Sequence, residues 1–281
     1  MKITDAHVHF WNDHMSAYHC VSPDRAPVLY GQDYTPAVLK PLLDAEGVEQ
    51  AVLVQVYNDH PGTDEFLSHA FHYPWIAAVV GWVDLASPRI GDILEWYQKV
   101  HPKFKGVRHL WQDEADPAFM LRPEMLQGVK ELARRGLTFD LCVLPPNWPY
   151  LQPFVEALPD VGLVIDHIAK PRIDEHQFDD WAVLMERMAQ VPRMTVKLSG
   201  LVTEATPHGW EKEDFQPYVD HLLSVFGPDR LMFGSDWPVC LLAADSYAQM
   251  FDLAQYLLRN VPEADKAKIM GATCRRFYGI D

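Results

Sequence analysis

Residues 137–167, LTFDLCVLPPNWPYLQPFVEALPDVGLVIDH, form one unit of the repeat that decides the fold. The two ends of this stretch, residues 137–143 and 162–167, are short apolar runs, as is usual for strands that are buried on both faces. Residues 149–158 between them have the spacing of a helix. A strand, a helix and a second strand in this order predict two parallel strands joined by a crossover helix.

The same alternation extends from this unit in both directions. Eight strands are predicted, and a helical pattern separates them in nearly every gap. The predicted strands cover residues 3–8, 51–56, 76–83, 104–110, 137–143, 162–167, 194–199 and 231–235. The predicted helices cover residues 35–47, 88–101, 123–135, 149–158, 178–190, 214–226, 246–259 and 263–276.

Eight strands that alternate with helices favour closure into a barrel. We expect an α/β fold, a (β/α)8 TIM-type barrel that forms a single domain over residues 1–281, because such barrels commonly have about 250 residues. An open, doubly wound sheet is the structural alternative. Its usual dinucleotide-binding form is excluded, since no Gly-x-Gly-x-x-Gly follows an early strand.

The composition narrows the classes of partner. The 281 residues include 39 acidic and 24 basic side chains, a formal net charge of −15, which repels nucleic-acid phosphates and anionic lipids. No apolar stretch reaches the roughly 20 residues of a membrane-spanning helix, and no signal-peptide pattern opens the sequence. The four cysteines are scattered and form no CxxC pair. We therefore expect a cytoplasmic monomer or small homo-oligomer without nucleic-acid or membrane partners.

Polar residues gather where the predicted strands end, which is where barrels of this class place their chemistry. His7 and His9 lie two residues apart on the first strand, so their side chains point the same way. His167 ends the sixth strand, and Asp236 follows the eighth. Imidazoles and a carboxylate at one barrel mouth suit a divalent metal or a substrate carbonyl. A packed core histidine and a helix-capping aspartate are the structural alternatives.

Three further residues are candidates for substrate contacts. Arg108 ends the fourth strand, and its planar fork of donors suits hydroxyls or a carboxylate, although an ion pair inside the barrel explains it equally well. Gln55 ends the second strand, and Lys170 follows the sixth. The irregular residues 10–35 are expected to cover the site as a lid. Four tryptophans near predicted loop ends have two alternative roles: their rings stack on a sugar ring, or they pack in the core. They are Trp11, Trp111, Trp148 and Trp237.

An ordered set of short motifs resembles the amidohydrolase superfamily. The motifs are DAHVHFW at residues 5–11, GVRH at 106–109, IDHIAKP at 165–171, VKLSGL at 196–201 and FGSDWPV at 233–239. Each motif alone is weak, but the set covers essentially the whole chain in the right order. The sequence is most similar to the amidohydrolase 2 branch, and within it to sugar lactonases of the L-fucono-1,5-lactonase and L-rhamnonolactonase type.

The resemblance implies an active site at the matching positions His7, His9, His167 and Asp236. In many members of the superfamily these groups hold one or two divalent metals, together with a Lys or Glu and further histidines. This chain departs from that pattern, because its fourth strand ends without a Lys or Glu and its fifth without a histidine. The resemblance therefore implies at most one metal, a zinc ion held by those four residues, which lactonases of this branch need not require.

Lactone hydrolysis is the activity that the resemblance implies. The expected reaction opens a sugar aldono-1,5- or 1,4-lactone, such as L-fuconolactone, to the free sugar acid. Asp236 is expected to act as the general base that activates water. The three histidines are expected to polarise the carbonyl, either directly or through a metal. A lactone is more reactive than an amide, so an incomplete set of metal ligands is compatible with this substrate.

Three alternatives stay open at this point. An aromatic-pathway lactonase that acts on a dicarboxylate needs a second cation beside Arg108, and no second Arg ends a predicted strand. A metal-dependent decarboxylase or C–C hydrolase of the same branch needs a firmly bound metal. The third alternative is a sugar-binding protein without catalytic activity on the same fold.

Overall fold

Eight parallel strands wrap into one barrel in the computed structural model, which describes residues 1–12, 24 and 26–281. Each strand pairs with the next one in the chain. The strands are β1 (Ile3–Val8), β2 (Val48–Val54), β3 (Ile76–Gly81), β4 (Phe104–Leu110), β5 (Thr138–Cys142), β6 (Leu163–Ile165), β7 (Met194–Leu198) and β8 (Leu231–Phe233).

Helices follow the strands and form the outer layer. They are α1 (Pro36–Ala45), α2 (His60–His72), α3 (Ile90–Val100), α4 (Pro123–Arg134), α5 (Trp148–Glu156), α6 (Asp179–Ala189), α7 (Lys212–Phe226), α8 (Tyr247–Leu257), α9 (Glu263–Ala267) and α10 (Thr273–Tyr278). The predicted α/β class and (β/α)8 barrel are confirmed. Within the described ranges, no helix has the length and apolar character needed to cross a membrane.

The barrel closes between the carboxyl ends of β1 and β8. The backbone N–H of Asp236 donates to the carbonyl of His7 at 2.9 Å, and that of His9 donates to the carbonyl of Trp237 at 2.7 Å. These bonds hold the segment after β8 against the end of β1. The closure therefore brings together residues that are more than 220 positions apart in the sequence.

Helix α2 is the element that the sequence analysis missed. Asp59 caps it by accepting a hydrogen bond from the backbone N–H of Gly62 at 2.9 Å. Its buried face consists of residues 63, 66, 67 and 70, which is helical spacing. Pro61 and Gly62 at the start of this segment are typical of a turn, and its apolar stripe is narrow. The sequence therefore does not predict a helix here.

The bottom of the barrel is closed by the C-terminal helices. A single helix over residues 263–276 was predicted, but α9 and α10 are separated by a wide turn over Lys268–Ala272. A side chain at Gly271 would place its Cβ 2.4 Å from the carbonyl oxygen of Lys2, so the chain passes tightly against the start of β1. As a result the phenol of Tyr278 reaches into the barrel. It packs there with the apolar residues Ala6, Val52, Val54, Ala78, Val80, Val164, Met232 and Cys274.

Candidate active site

Three imidazoles and one carboxylate converge at the mouth of the barrel, in a group that we call the histidine cluster (His7, His9, His167 and Asp236). The Nε2 atoms of His7 and His9 are 3.1 Å apart. The Oδ1 atom of Asp236 lies 3.2 Å from His9 Nε2, 3.8 Å from His7 Nε2 and 3.9 Å from His167 Nε2. All four residues are buried. The structure thus brings together every residue that the sequence analysis placed in the catalytic group.

The Val54 carbonyl determines which nitrogen of His9 carries the proton. His9 Nδ1 lies 2.7 Å from that oxygen, and a carbonyl can only accept, so Nδ1 is the protonated nitrogen. Burial lowers the pKa of His9, which favours the neutral ring. The Nε2 atom then carries a lone pair, and that lone pair faces Asp236 Oδ1. A neutral His9 therefore cannot donate to a substrate carbonyl, contrary to one of the two roles expected for it.

His167 is held by a backbone that runs through an uncommon conformation. Four consecutive residues, His167–Lys170, have positive φ angles between 50° and 65°, a region that side chains rarely adopt. Gly200 lies directly against this turn, and a Cβ there would be 2.6 Å from the Cβ of His167. The Ser199 hydroxyl is 2.9 Å from His167 Nδ1. Ser199 and Gly200, the SG pair of the VKLSGL motif, together fix the position and the orientation of the His167 ring.

Asp236 follows β8 in a turn that Asp5 supports. Asp236 has a φ of 59°, and aspartate is among the non-glycine residues that tolerate this region. The buried carboxylate of Asp5 accepts hydrogen bonds from the backbone N–H groups of His7 and Ser235, at 3.1 and 2.9 Å. It also accepts one from the hydroxyl of Tyr247 at 3.1 Å. Asp5 thus joins the strand that holds His7 to the turn that holds Asp236.

The electrostatics of the cluster favour neutral rings beside an ionised carboxylate. Burial lowers the pKa of His167 to about 3 and that of His7 well below its usual value. Burial by itself raises the pKa of Asp236, but interaction with the neighbouring rings, that of His167 foremost, holds that pKa below its usual value. At neutral pH the site therefore offers a carboxylate that can accept a proton.

A second group of buried charges lies deeper in the barrel, and we call it the Lys197 network (Lys197, Asp140, Asp166, Arg108 and Tyr278). Lys197 Nζ is 2.6 Å from Asp140 Oδ2 and 2.9 Å from Asp166 Oδ1. Asp140 Oδ2 also accepts from the Tyr278 hydroxyl at 2.7 Å, and Asp166 Oδ2 from Arg108 Nη1 at 3.2 Å. The network touches the histidine cluster, because Lys197 Nζ lies 3.1 Å from His7 Nδ1.

The pKa values in the Lys197 network follow from its pairing. Burial opposes the charge of Lys197, but Asp140 and Asp166 raise its pKa above the usual value. Burial likewise opposes ionisation of Asp166, and Lys197, His7 and Arg108 hold its pKa well below the usual range. Asp140 differs, because burial raises its pKa to about 6 in spite of Lys197. Two carboxylates that share one lysine thus separate into a strong and a weak acid.

A cavity of about 750 Å³ opens above the cluster. His9, His167 and Asp236 line its floor, and Arg108 and Lys170 line it as well. Such a volume is in the range of small-molecule sites in proteins. Of the four tryptophans proposed for stacking, Trp11 lines this cavity, whereas Trp111, Trp148 and Trp237 are buried in the core. Part of the predicted lid, residues 13–23 and 25, lies outside the described residues.

The three predicted substrate-contact residues have different environments. The guanidinium of Arg108 is engaged by the protein, with Nη1 on Asp166 and Nη2 donating to the Gln55 carbonyl. Its Nε finds no partner in the described part of the chain. Gln55 is buried and donates through Nε2 to the Arg108 carbonyl at 3.3 Å. Lys170 donates to Gln112 Oε1 at 2.8 Å at the edge of the cavity. Their contact with a substrate stays a prediction.

Comparison with known proteins identifies the family. The model of the amidohydrolase family matches residues 4–280. The chain belongs to the amidohydrolase family. The predicted resemblance is confirmed, and it extends over nearly the full length of the chain.

Individual relatives of this amidohydrolase are similar over their whole length. An L-fucono-1,5-lactonase of Burkholderia multivorans is 35% identical over 288 residues, covering 98% of this chain and 95% of the relative. An L-fucono-1,5-lactonase of Burkholderia ambifaria is 36% identical over 281 residues, covering 99% and 95%. A crystal structure of an amidohydrolase from Burkholderia multivorans with bound zinc superimposes with a TM-score of 0.93 at 33% identity, and all of both chains is covered.

The histidine cluster has the donors and the spacing for a metal ion. Ligands placed 2.0–2.1 Å from a tetrahedral zinc ion lie roughly 3.3 Å from one another. The distances given above, three of which end on Asp236 Oδ1, are 3.1 to 3.9 Å. The lone pair on His9 Nε2 and the Asp236 carboxylate face each other without a hydrogen between them, which a bound cation would relieve. His7, His9 and Asp236 therefore fit one divalent metal. Among the described residues these three form one group with metal-binding spacing, and His7, Asp166 and His167 form another.

Sequence reasoning missed the residues that support the cluster. Asp5, Asp166 and Lys197 lie in the motifs DAHVHFW, IDHIAKP and VKLSGL, and the sequence predicts no role for them. Each makes two or more buried polar contacts. Lys197 lies within MTVKL, where the charge interrupts an otherwise apolar strand. A lysine at a buried strand position requires acidic partners, and this was the available signal. Its partners come from other strands and are set by the barrel register.

Proposed function

We propose that this amidohydrolase hydrolyses a neutral, hydroxyl-rich sugar lactone, with L-fucono-1,5-lactone as the first candidate, to the free sugar acid. The observation that carries the proposal is the convergence of three imidazole nitrogens and the Asp236 carboxylate on the floor of a cavity of about 750 Å³. Support also comes from the two relatives named L-fucono-1,5-lactonase, at 35% and 36% identity over nearly the whole chain.

In the proposed reaction Asp236 is the general base. It is ionised and buried, so it removes a proton from a water molecule held between it and the lactone carbonyl. The hydroxide equivalent adds to that carbonyl. Ring opening then requires a proton on the departing ring oxygen, and the protonated Asp236 is the group that returns it.

The proposed electrophilic group for the carbonyl oxygen is His167. Its Nδ1 lies 2.9 Å from the Ser199 hydroxyl, which can donate to it and leave the proton on Nε2. His167 lines the cavity floor, so a protonated Nε2 can donate to the oxyanion of the tetrahedral intermediate.

We further propose that the cluster can hold one zinc ion through His7, His9 and Asp236, and that turnover does not require it. A bound zinc ion supplies Lewis-acid polarisation of the carbonyl. The permanent cations Arg108 and Lys197 lie 3.2 and 3.1 Å from the two ring nitrogens of His7. These two cations oppose the binding of a further cation beside His7. They also supply part of the electrostatic stabilisation that a bound metal ion would give.

The test is a proton-release assay with a panel of aldonolactones, before and after treatment with a chelator. Hydrolysis of a lactone to its acid releases one proton, so an indicator dye follows turnover. We expect L-fucono-1,5-lactone to be hydrolysed, and the activity to survive removal of the metal as measured by elemental analysis. Lack of turnover with every lactone would contradict the proposed function. Turnover lost on chelation and restored by zinc would contradict the metal-independent reaction.

A further inference from the structure

One wall of the cavity carries polar groups that the proposed reaction does not use. Asn58, Asp113 and Glu114 line the same cavity as His167 and Asp236. Asp113 and Glu114 come directly after β4, in and behind the short 3-10 helix Trp111–Asp113. They introduce two carboxylates into a cavity whose Arg108 charge is already paired with Asp166 at 3.2 Å.

Glu114 is held in place by a chain of hydrogen bonds through His109. The indole Nε1 of Trp82 can only donate, and it donates to His109 Nδ1 at 3.2 Å. The proton of the neutral imidazole is therefore on Nε2, which donates to Glu114 Oε1 at 2.7 Å. His109 is buried and stacks on the ring of Phe119 with a centroid distance of 5.4 Å. Burial lowers the pKa of His109 and so keeps the ring neutral. The hydrogen bonds therefore run in one direction, from Trp82 through His109 to Glu114.

Asn58 places a donor beside the same carboxylate. Its Oδ1 accepts from the backbone N–H of Leu110 at 2.9 Å, which fixes the orientation of the amide. The Nδ2 group then lies 3.4 Å from His109 Nε2, the atom that donates to Glu114. Both Asn58 and Glu114 line the cavity. An acceptor and a donor side by side match two neighbouring hydroxyls of a sugar ring, each of which donates and accepts.

We propose that Glu114, positioned by His109, is a specificity-determining residue that accepts a hydrogen bond from a ring hydroxyl of the lactone and thereby selects polyhydroxylated, uncharged substrates. This inference rests on the proposed lactone hydrolysis. A site built to bind a hydroxyl discriminates strongly against an analogue that lacks it, because the polar groups of the site are then left without a partner. The carboxylates of this wall also repel a dicarboxylate lactone and assist release of the anionic product.

The test compares two lactones with wild type and the Glu114→Gln variant. L-fucono-1,5-lactone carries ring hydroxyls, whereas δ-valerolactone has the same ring without any. Gln keeps an oxygen for the His109 bond but loses the charge that strengthens a bond to a hydroxyl. We expect kcat/KM for the sugar lactone to fall roughly 10- to 100-fold, mainly through KM, and kcat/KM for δ-valerolactone to stay within about twofold. The matched control is Glu124→Gln, on the exposed first turn of α4.

Two further measurements separate selection from other roles. The inhibition constant of the product acid, L-fuconate, should change less than KM in Glu114→Gln, because the lost hydrogen bond weakens binding of the acid and the lost charge relieves its repulsion. His109→Phe, which removes the bond to Glu114 and keeps a flat ring on Phe119, should give a smaller loss in the same direction. An equal loss for both lactones, or kinetics equal to those of the control, would overturn the inference. Wild-type enzyme that hydrolyses no lactone would instead show that the proposed function is wrong.

Discussion

The histidine cluster and the Lys197 network are both buried, both polar and both built from side chains of several strands, yet they differ in how their groups are paired. In the network, Lys197 contacts two carboxylates, and Asp166 contacts two cations. In the cluster, a lone pair on His9 Nε2 faces the Asp236 carboxylate. The network pairs each carboxylate with a cation, although Arg108 Nε, Asp140 Oδ1 and Asp166 Oδ1 have no hydrogen-bond partner among the described residues. The cluster instead directs acceptors at a cavity.

This difference shows how function and support are divided within one barrel. A buried ion pair with complete partners adds rigidity, and removing one partner is costly. A buried group without a partner costs stability and is kept where a ligand completes it. The two regions are joined at His7, which contacts Asp236 on one side and Lys197 on the other. We therefore expect substitutions in the cluster to change turnover and substitutions in the network to change stability.

The largest effect is expected from Asp236→Asn, which tests the functional half of this comparison. The amide cannot accept the proton from water, so kcat/KM should fall by about 1,000-fold or more. The melting temperature should stay the same or rise, since a buried negative charge is removed. Steady-state proton release and thermal unfolding measure the two effects. Asp245→Asn, an exposed residue paired with His208, is the control. Unchanged turnover would rule out Asp236 as the base.

Lys197→Met tests the supporting half. The substitution leaves Asp140 and Asp166 without their shared cation inside the barrel, so the free energy of unfolding should fall by about 3–5 kcal/mol. Urea denaturation measures it. Lys212→Met, which breaks an exposed pair with Asp252, should cost less than about 1 kcal/mol. Equal losses in the two variants would show that the network does not support the barrel.

The smallest expected effect is a pH dependence of stability that comes from the cluster. The pKa of His167 is about 3 in the folded protein and roughly 6.5 in an unfolded chain. Between these values the unfolded chain binds one more proton, so the free energy of unfolding rises with pH and is lost as pH falls through this window. Replacement by Asn should flatten the slope by roughly 1 kcal/mol per pH unit.

Urea midpoints at several pH values between about 4 and about 7 measure that slope. The control is His72→Asn on the exposed face of α2. His7 and His9 have pKa values lowered in the same direction and add to this slope. Asp5 and Asp140 have pKa values raised to about 6 and oppose it in the same window, so the comparison is between the slopes of wild type and His167→Asn. Parallel curves for wild type and His167→Asn would mean that His167 is protonated alike in the folded and unfolded states.

Much of the fold was predictable because strand and helix periods are local properties. The eight strands were located, and the β5–α5–β6 unit contains the pattern in 31 consecutive residues. Helix α2 was missed because Pro61 and Gly62 at its start resemble a turn. In the structure they form the first turn of the helix, which Asp59 caps. The helix predicted over residues 263–276 is split, since Gly271 packs against the start of β1 and no local pattern reveals that contact.

The candidate site was predictable to the extent that strand ends reveal it. His7, His9, His167 and Asp236 each follow an apolar run, and parallel strands bring such ends to one edge. The arrangement of Glu114 was not predictable, because its meaning depends on His109 and Trp82. These contacts join separate segments, and nothing in the spacing of the three residues indicates them.

The sequence by itself thus determined the barrel, the family resemblance and the four residues of the histidine cluster, because all of these depend on local periodicity or on short motifs. The tertiary structure decided their chemical states. Which nitrogen of His9 holds its proton depends on the Val54 carbonyl of the neighbouring strand, and the charge of Asp166 depends on Lys197 and Arg108. A proton or a charge in a buried site is set by atoms within a few ångströms, and the barrel register places those atoms.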